Sequence, residues 1–262
     1  MKKYLKLTWI SMLQTIAYRS NFFISILVTA ILFLSSFFLW ENIFGENSKL
    51  LVYSWEMMKG YLLVAFMCNT LLSWYSESAI SKKIVDGSVA LDLLKPIDYS
   101  LARFFETIGA SVFEIFVIAV ISAIFVFFMD ISLPRNPVIW ICFGMSIVVS
   151  LGIKFCIVYI FSLCTFFTTS YHGIAWSRAA ITNLLSGALL PLDFFPVWLA
   201  SLIEHMPFRF IVYVPAMIFL NQLDAEQIYK VLLEAVIWII GLALISKLVF
   251  KFCIRKVVIN GG

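Results

Sequence analysis

Apolar segments alternate with short polar intervals along almost the whole chain. Since about 20 apolar residues cross a bilayer as a helix, six segments are predicted to span a membrane: residues 22–40, 58–77, 104–129, 137–169, 179–190 and 228–250. The fourth segment is longer than a bilayer requires, which predicts that it is tilted or projects beyond the membrane. The pattern predicts an all-α integral membrane protein in which residues 1–262 form a single transmembrane domain.

Residues 1–21 carry a different pattern, that of an amphipathic helix. Apolar residues recur at helical spacing, and basic and amide residues lie off that stripe: Leu5, Trp9, Met12, Leu13 and Ile16 against Lys2, Lys3, Lys6, Gln14 and Arg19. This pattern is typical of a helix that lies in the membrane interface. A simple extension of the first span is the alternative, but Ser20-Asn21 separates the two segments and favours the interfacial helix.

Residues 191–221 are too apolar for an aqueous loop, and their prolines make one continuous helix improbable. The segment is interrupted at Pro191, Pro196, Pro207 and Pro215. We predict a re-entrant pair of short helices that enters and leaves by the outer face, because a seventh crossing would put the basic C-terminal residues outside. Irregular backbone at membrane depth is tolerated where protein or a cavity covers it.

The longest charged interval between two apolar regions is residues 78–103. Its basic residues give it the excess that is typical of a cytoplasmic loop: Lys82, Lys83, Lys95 and Arg103. An apolar face around Gly87 predicts a surface helix that ends at Lys95-Pro96; this face consists of Ile84, Val85, Val89, Leu91, Leu93 and Leu94. Such a helix either docks against a soluble partner chain or lies on lipid headgroups, and the pattern leaves both open.

Basic residues are distributed unequally between the two sides of the predicted membrane. Thirteen of the 19 Lys and Arg residues lie on the side of the termini and five on the other, while Lys154 lies within a span. Because cytoplasmic loops carry the excess of Lys and Arg, both termini and residues 78–103 are predicted to be cytoplasmic. Residues 41–56 and 130–136 are then outside, and the expected location is the cell (plasma) membrane.

Composition narrows the class of protein further. With 63% hydrophobic and 13% charged residues, the chain differs from soluble domains, which have roughly 45–50% and about 25%. The net charge of +4 gives no sign of a nucleic-acid partner, and membrane lipid is the expected surrounding. The five cysteines have no metal-ligand spacing and are predicted to be apolar packing residues. The first span has no small-residue cleavage site, so we expect it to be retained.

Motifs of catalysis are missing from the sequence. There is no GxxxxGK[ST] phosphate loop, no GxSxG elbow and no HExxH, and the two histidines, His172 and His205, lie far apart. The sequence therefore predicts no enzyme activity, no metal site and no cofactor in this chain.

Two charged residues fall inside predicted spans, Glu114 in the third and Lys154 in the fourth. Charges in a bilayer are costly and are therefore candidates for function. The two could pair across neighbouring antiparallel spans. The favoured alternative is that Lys154 extends to the inner interface while Glu114 is protonated or faces a partner subunit.

The order of these elements resembles that of the membrane subunits of type-2 ABC exporters. Two blocks are similar to one bacterial branch with an LLkP loop: Asp86-Gly87-Ser88-Val89 with Leu93-Leu94-Lys95-Pro96, and Leu185-Ser186-Gly187 with Pro191-Leu192, Phe195-Pro196, Trp198-Leu199 and Pro207-Phe208. The closing Gly261-Gly262 is similar to the ending of many members of that branch.

This resemblance implies a permease that works with a separate ATPase subunit, which binds ATP and Mg²⁺, and with a second permease, identical or paralogous. It implies that residues 78–103 carry a coupling helix seated on that ATPase, with these contact residues: Lys82, Lys83, Val85, Asp86, Gly87, Val89, Leu93, Lys95 and Pro96. The re-entrant region would include Gly187, Phe195 and Phe208 besides its prolines. The alternatives are a secondary carrier driven by an ion gradient and a membrane immunity or sensor protein without transport.

Overall fold

A computed structural model describes residues 2–17, 19–46, 49–50, 53–71, 75–168 and 171–254. This part of the chain is almost entirely helical, which confirms the all-α prediction. Its helices are α1 (Lys2–Ala17), α2 (Arg19–Glu46), α3 (Trp55–Thr70), α4 (Tyr75–Val85), α5 (Val89–Leu93), α6 (Tyr99–Met129), α7 (Pro137–Leu163), α8 (Tyr171–Leu185), α9 (Val197–Glu204), α10 (Tyr213–Phe219) and α11 (Ala225–Cys253). Two short antiparallel strands, β1 (Lys49–Leu50) and β2 (Tyr53–Ser54), join α2 to α3.

Within the described ranges, four segments are long and apolar enough to cross a membrane. They are Ile26–Gly45, Tyr99–Met129, Pro137–Phe167 and Ala225–Cys253. They overlap the predicted spans 22–40, 104–129, 137–169 and 228–250. The last part of Pro137–Phe167 is a 3-10 turn, Cys164–Phe167, that follows α7. The six-span count stays a prediction, since the helices in the other two regions are shorter.

The helix boundaries follow capping residues more closely than they follow hydropathy. The Asp98 side chain accepts a hydrogen bond from the Leu101 N–H (2.9 Å), so α6 begins at Tyr99. The Asn136 side chain accepts from the Val138 N–H (2.9 Å) before Pro137 opens α7. Such caps satisfy N–H groups that have no partner inside the helix. The predicted separators between the first two helices, Ser20-Asn21, lie within α2, which begins at Arg19.

The predicted span 58–77 does not coincide with one helix. The α3 helix begins at Trp55, where the Ser54 hydroxyl accepts from the Met57 N–H (3.3 Å), and it ends at Thr70. Leu71 is extended, with φ −63° and ψ 139°. The next helix, α4, starts at Tyr75, and residues 72–74 lie outside the described ranges. Hydropathy overlooks this stop because the residues on both sides of it are apolar.

The helix in the region of the predicted span 179–190 begins and ends earlier than that span. The α8 helix covers Tyr171–Leu185, and Gly187 beyond it adopts φ +82°. The Tyr61 hydroxyl donates a hydrogen bond to the Gly187 carbonyl (2.7 Å), and a Cβ on Gly187 would lie 2.5 Å from that hydroxyl oxygen. Only glycine fits both the left-handed backbone and the close contact, so the helix stops before the apolar run does.

Residues 191–221 form short helical pieces. Proline residues open three of them: Pro191 precedes the turn Leu192–Phe194, Pro196 precedes α9, and Pro207 begins the turn Pro207–Phe210. Pro215 lies in the first turn of α10, where its missing N–H costs nothing. The α10 helix is buried against α3 and α7, whereas α9 is peripheral and exposes Val197 and Trp198.

Both ends of this segment meet the same end of the bundle. Near its start, the Asp193 carboxylate accepts from the Tyr53 hydroxyl (2.7 Å), and near its close Phe219 packs on Trp140, with ring centroids 5.8 Å apart. Lys59 donates to the Asp130 carbonyl (2.9 Å), which places Asp130 at that end too. We call the end with Tyr53, Asp130 and Asp193 the outer end, and the end with residues 78–103 the inner end, after their predicted sides. Re-entrance into a membrane stays a prediction.

The α1 helix packs with its small polar face inward and its apolar face outward. The Thr8 and Ser11 hydroxyls donate to the carbonyls of Phe105 (3.1 Å) and Glu106 (2.6 Å) on α6. The apolar residues Leu5, Trp9, Ile10 and Leu13 are exposed. This orientation suits a helix with lipid on its outer side, where small residues let helix backbones approach closely.

Gly109 of α6 is the point of closest approach between α1 and α6, and it generates the first testable prediction. A Cβ at this position would overlap the backbone of Thr8, whereas one at Gly144 of α7 would meet nothing within 4 Å. We expect Gly109→Ala to displace α1 and to destabilise the protein by about 1–3 kcal/mol, the usual cost of overpacking. Thermal unfolding in detergent measures this effect. Gly144→Ala is the matched control, and equal melting temperatures for the two variants would contradict the close contact.

Candidate functional site

The predicted surface helix in residues 78–103 consists of two short helices and a turn. The α4 helix ends at Val85, α5 covers Val89–Leu93, and α6 begins at Tyr99. Between α4 and α5 the Asp86 carboxylate accepts hydrogen bonds from the Ser88 N–H (2.9 Å) and hydroxyl (2.6 Å). These bonds lower the pKa of Asp86. The turn therefore has its own local stabilisation, as Asp side chains often provide.

Gly87 is the hinge of this turn. It adopts φ +76°, a left-handed conformation that glycine adopts without strain. A Cβ at this position would meet nothing within 4 Å, so the surroundings leave open space beside it. The requirement for glycine here comes from the backbone conformation of this chain.

Some of the six apolar residues around Gly87 face the interior of the protein, and the others face its surface. Ile84 and Val89 are buried inside the chain, and Leu93 is partly buried. Val85, Leu91 and Leu94 are exposed, Leu94 at 82%. Val89 was predicted to contact a partner, but its burial removes it from the outer surface. Leu91 and Leu94 lie on that surface, although they are absent from the contact residues that the family resemblance implies. Lys82, Lys95 and Pro96 are exposed as well.

Asp92 holds together residues 78–103, which we call the charged loop. Its carboxylate, 8% exposed, accepts hydrogen bonds from Lys83 (2.9 Å) and Lys95 (2.5 Å) and lies 3.3 Å from the Arg103 guanidinium. Burial by itself raises the pKa of a carboxyl, but the two lysine hydrogen bonds and the Arg103 charge outweigh it and lower the pKa of Asp92 to about 2. Asp92 is therefore ionised at physiological pH.

Arg103 joins this cluster to α6. Its side chain is 5% exposed, forms an ion pair with Glu106 (2.7 Å) and lies 5.2 Å from the centre of the Tyr99 ring. A cavity of about 100 Å³ lies beside Arg103, where α1, α4 and α6 meet. Ser11, Gln14 and Lys83 are among the residues that line this cavity. The ion pairs of Arg103 with Asp92 and Glu106 thus connect the loop to α6.

Sequence reasoning did not single out Asp92. The signal available was its position: with Asp86, it is one of two acidic residues between Lys83 and Lys95, and it lies within reach of Arg103 only after the loop has folded. A carboxylate that is nine residues from one lysine and three from another is an ambiguous pattern in one dimension.

The two intramembrane charges both lie in the interior. Lys154 of α7 is 6% exposed and donates to the carbonyls of Cys68 (2.9 Å), Asn69 (3.0 Å) and Leu71, at the end of α3. Lys154 is therefore buried against the end of α3, and its extension to the inner interface stays a prediction. Its positive charge meets the carbonyl end of a helix, where cations are favoured. Glu114 is buried on α6.

Residues 191–221, predicted to be re-entrant, contribute to a second polar cluster, at the outer end. The hydroxyls of Tyr53 (2.7 Å) and Tyr213 (3.1 Å) donate to the Asp193 carboxylate. Arg209 pairs with Glu234 of α11 (2.6 Å). A cavity of about 240 Å³ lies between Asp193 and Arg209. Of the residues predicted for this region, Gly187, Phe195, Pro207 and Phe208 shape its turns, and the polar contacts come from residues outside that set.

Comparison with known proteins identifies the family. The model of the family described as ABC-2 family transporter protein matches residues 26–261. The chain belongs to this family. Its members are membrane components of ABC transporters, so the protein is a multi-pass membrane protein and a permease-type subunit that partners an ABC ATPase subunit. A search of curated proteins finds no match.

The position of the family match fits the geometry. It includes the charged loop, the four long apolar helices and residues 191–221, which we call the broken segment. Among the described residues, no group of three or more His, Cys, Asp or Glu side chains is placed to hold a metal ion.

Asp92→Asn tests whether one carboxylate organises the charged loop. Loss of the charge leaves the buried Arg103 near two lysines, and breaking a buried pair typically costs about 3–5 kcal/mol. We expect about 3 kcal/mol, since Glu106 remains and both lysines reach water. Unfolding in detergent at neutral pH measures the loss.

The matched control is Asp86→Asn, because Asp86 is exposed and an asparagine oxygen can accept the same bonds from Ser88.

Stability should also depend on pH. Because the folded-state pKa of Asp92 is lowered to about 2 from its ordinary value of 3.8, the contribution of Asp92 to stability is fully present above about pH 4. That contribution is lost as the pH falls towards 2. Equal stability of Asp92→Asn and Asp86→Asn would refute the central role of Asp92.

Proposed function

We propose that this ABC-2 family protein is the membrane-spanning permease subunit of an ATP-driven exporter in the cell membrane. Hydrolysis of ATP with Mg²⁺ takes place in a separate ATPase subunit, and a second permease, identical or paralogous, completes the transporter. The observation that carries the proposal is the charged loop at the inner end. It presents exposed apolar side chains on a base that Asp92 and Arg103 hold rigid. The LLkP motif, Leu93-Leu94-Lys95-Pro96, supports the bacterial branch.

The proposed topology has six spans, with both termini cytoplasmic. The shorter α3 and α8 helices supply the second and fifth crossings, at 16 and 15 residues. With a rise of about 1.5 Å per residue, they extend about 24 and 22 Å, and neighbouring loop residues complete the distance. Both ends of residues 191–221 contact the outer end, which favours a segment that returns to the side it came from.

The proposed coupling surface consists of Val85, Leu91, Leu94, Lys82 and Lys95. Its three apolar residues are the anchors that fill pockets of the ATPase, and the two lysines form a polar rim. Interfaces of this kind depend on a few well-buried anchors. Leu94 projects furthest from the chain, at 82% exposed. Leu93, Asp86, Gly87 and Pro96 contribute the shape of the loop.

Cysteine labelling tests the topology. In a chain whose native cysteines are replaced, Arg135→Cys and Glu226→Cys should react with a membrane-impermeant maleimide in intact cells. Lys82→Cys should react only after permeabilisation. All three positions are exposed, so accessibility depends on the side of the membrane alone. Labelling of Lys82→Cys in intact cells would reverse the orientation. Opposite sides for Arg135 and Glu226 would mean a seventh crossing.

Leu94→Asp tests the coupling surface. The substitution puts a charge where an apolar anchor is expected to be buried by the ATPase. We expect recovery of the co-expressed ATPase with the permease to fall by about 10-fold, a loss of about 1.4 kcal/mol in binding. The amount of permease in the membrane should not change. Leu133→Asp is the matched control, because Leu133 is also exposed but lies in the turn at the outer end.

The alternative for the charged loop is that it lies on lipid headgroups. In that case Leu94→Asp weakens the contact of the loop with the membrane, and the ATPase is recovered in wild-type amounts. Wild-type recovery and hydrolysis in Leu94→Asp would therefore remove the coupling assignment.

A further inference from the structure

Lys154 connects α7 to the point where the chain leaves α3 for the charged loop. Its ammonium donates to the carbonyls of Cys68, Asn69 and Leu71. The α4 helix begins at Tyr75, a few residues further along the chain. Lys154 therefore contacts the end of the predicted second span shortly before the chain enters the charged loop.

The carbonyls at this position need a donor. The last four carbonyls of an α-helix have no N–H partner within the helix. The Leu71 N–H bonds back to the Met67 carbonyl (3.2 Å), which leaves the carbonyls of the following residues for Lys154. Cys68 and Leu71 are buried. Where water is excluded, an unsatisfied carbonyl is costly, so the stop of α3 depends on the lysine.

The α7 helix is well placed to carry motion of the bundle to this contact. It packs against α4 on the inner side and against α10 and α11 elsewhere. Ser150, one turn before Lys154, donates to the Ile211 carbonyl of the broken segment (2.9 Å). The α7 helix thus contacts the broken segment through Ser150 and the end of α3 through Lys154.

We propose that Lys154 is a positioning residue for coupling: it fixes the inner end of α3 on α7, so that the charged loop moves with the α7–α10–α11 part of the bundle. The role rests on the proposed function, because it gives that function its mechanical link. The contacts on which this role depends lie within the permease chain.

Lys59 provides a matched control. It lies in α3, the helix whose end Lys154 contacts. It is also a lysine, is also 6% exposed, and donates to the carbonyls of Met129 (3.5 Å) and Asp130 (2.9 Å) at the end of α6. It also pairs with Glu56 (2.7 Å). Lys59 therefore satisfies a helix end in the same way at the outer end, far from the charged loop.

The test compares Lys154→Met, Lys154→Arg and Lys59→Met in the full chain co-expressed with its ATPase. The first measurement is ATP hydrolysis per recovered ATPase in reconstituted membranes. The second is amide hydrogen exchange over residues 75–93 of the permease alone. We expect Lys154→Met to lower hydrolysis by about five-fold or more, within the usual range of coupling effects, and to speed exchange in α4 and α5. Arginine, which also donates several hydrogen bonds, should restore both.

Lys59→Met should lower the melting temperature as much as Lys154→Met does, and should leave hydrolysis and exchange over residues 75–93 as in the wild type. If Lys154→Met is not recovered from the membrane, Lys154→Gln, which keeps a shorter donor, is measured in the same way. Wild-type hydrolysis and exchange in the methionine or glutamine variant would overturn the proposal. The same is true if Lys59→Met reproduces both effects, since they would then reflect stability in general.

The two measurements separate this inference from the proposed function. If the wild-type permease neither binds an ATPase nor supports hydrolysis, the proposed function fails, and the coupling role of Lys154 fails with it. Hydrogen exchange requires no ATPase. Suppose that the wild-type permease supports hydrolysis, but hydrogen exchange in Lys154→Met is the same as in the wild type. The positioning role is then overturned, and the proposed function is not.

Discussion

A helix that ends among apolar side chains must find donors for its last carbonyls, and this constraint shapes the centre of the molecule. Water satisfies such carbonyls at a protein surface, but it is excluded from the interior of a membrane protein. The structure meets the constraint twice with buried lysines. Lys154 satisfies the end of α3, and Lys59 satisfies the end of α6. Each ammonium gains from the negative end of a helix dipole and links two helices.

The lysine at the end of α3 makes the architecture of the inner end possible. A continuous second helix would carry the chain straight out of the bundle. Because α3 stops at Thr70, α4 can pack beside α7 and bring Lys83 to Asp92. The same carboxylate then binds Lys95 and lies beside Arg103. Two polar contacts, that of Lys154 inside the bundle and that of Asp92 at its edge, therefore hold the loop in its position.

Packing between the helices relies on small and polar residues as much as on large apolar ones. Lipid is as apolar as leucine, so burial from lipid gives little hydrophobic gain, and close contact with hydrogen bonding takes its place. The α1–α6 contact shows this directly, through Thr8, Ser11 and Gly109. The Gly187 contact with Tyr61 does the same between α3 and the broken segment. The outward apolar face of α1 is the expected complement of such packing.

The sequence by itself determined the class of the fold, four long apolar helices, the amphipathic start and the fragmentation of residues 191–221. Each of these depends on local properties: the length of an apolar run, its helical period, or proline, which cannot continue a helix. The family could also be found from the order of the elements together with the short motifs around Gly87 and Gly187, and the match over residues 26–261 confirms it at the level of the family.

The tertiary structure decided where helices stop inside apolar sequence, and which residues of the charged loop face outward. At the end of α3, Lys154 contacts the backbone of Leu71. Beyond the end of α8, Tyr61 contacts the backbone of Gly187. Both contacts come from residues distant in sequence. Val89 is buried and Leu94 exposed although both are apolar and belong to one periodic face. Asp92 gains its three cations only when α4, α5 and α6 meet. Hydropathy measures the cost of exposing a side chain to water, and these choices depend on which polar group finds a partner in space.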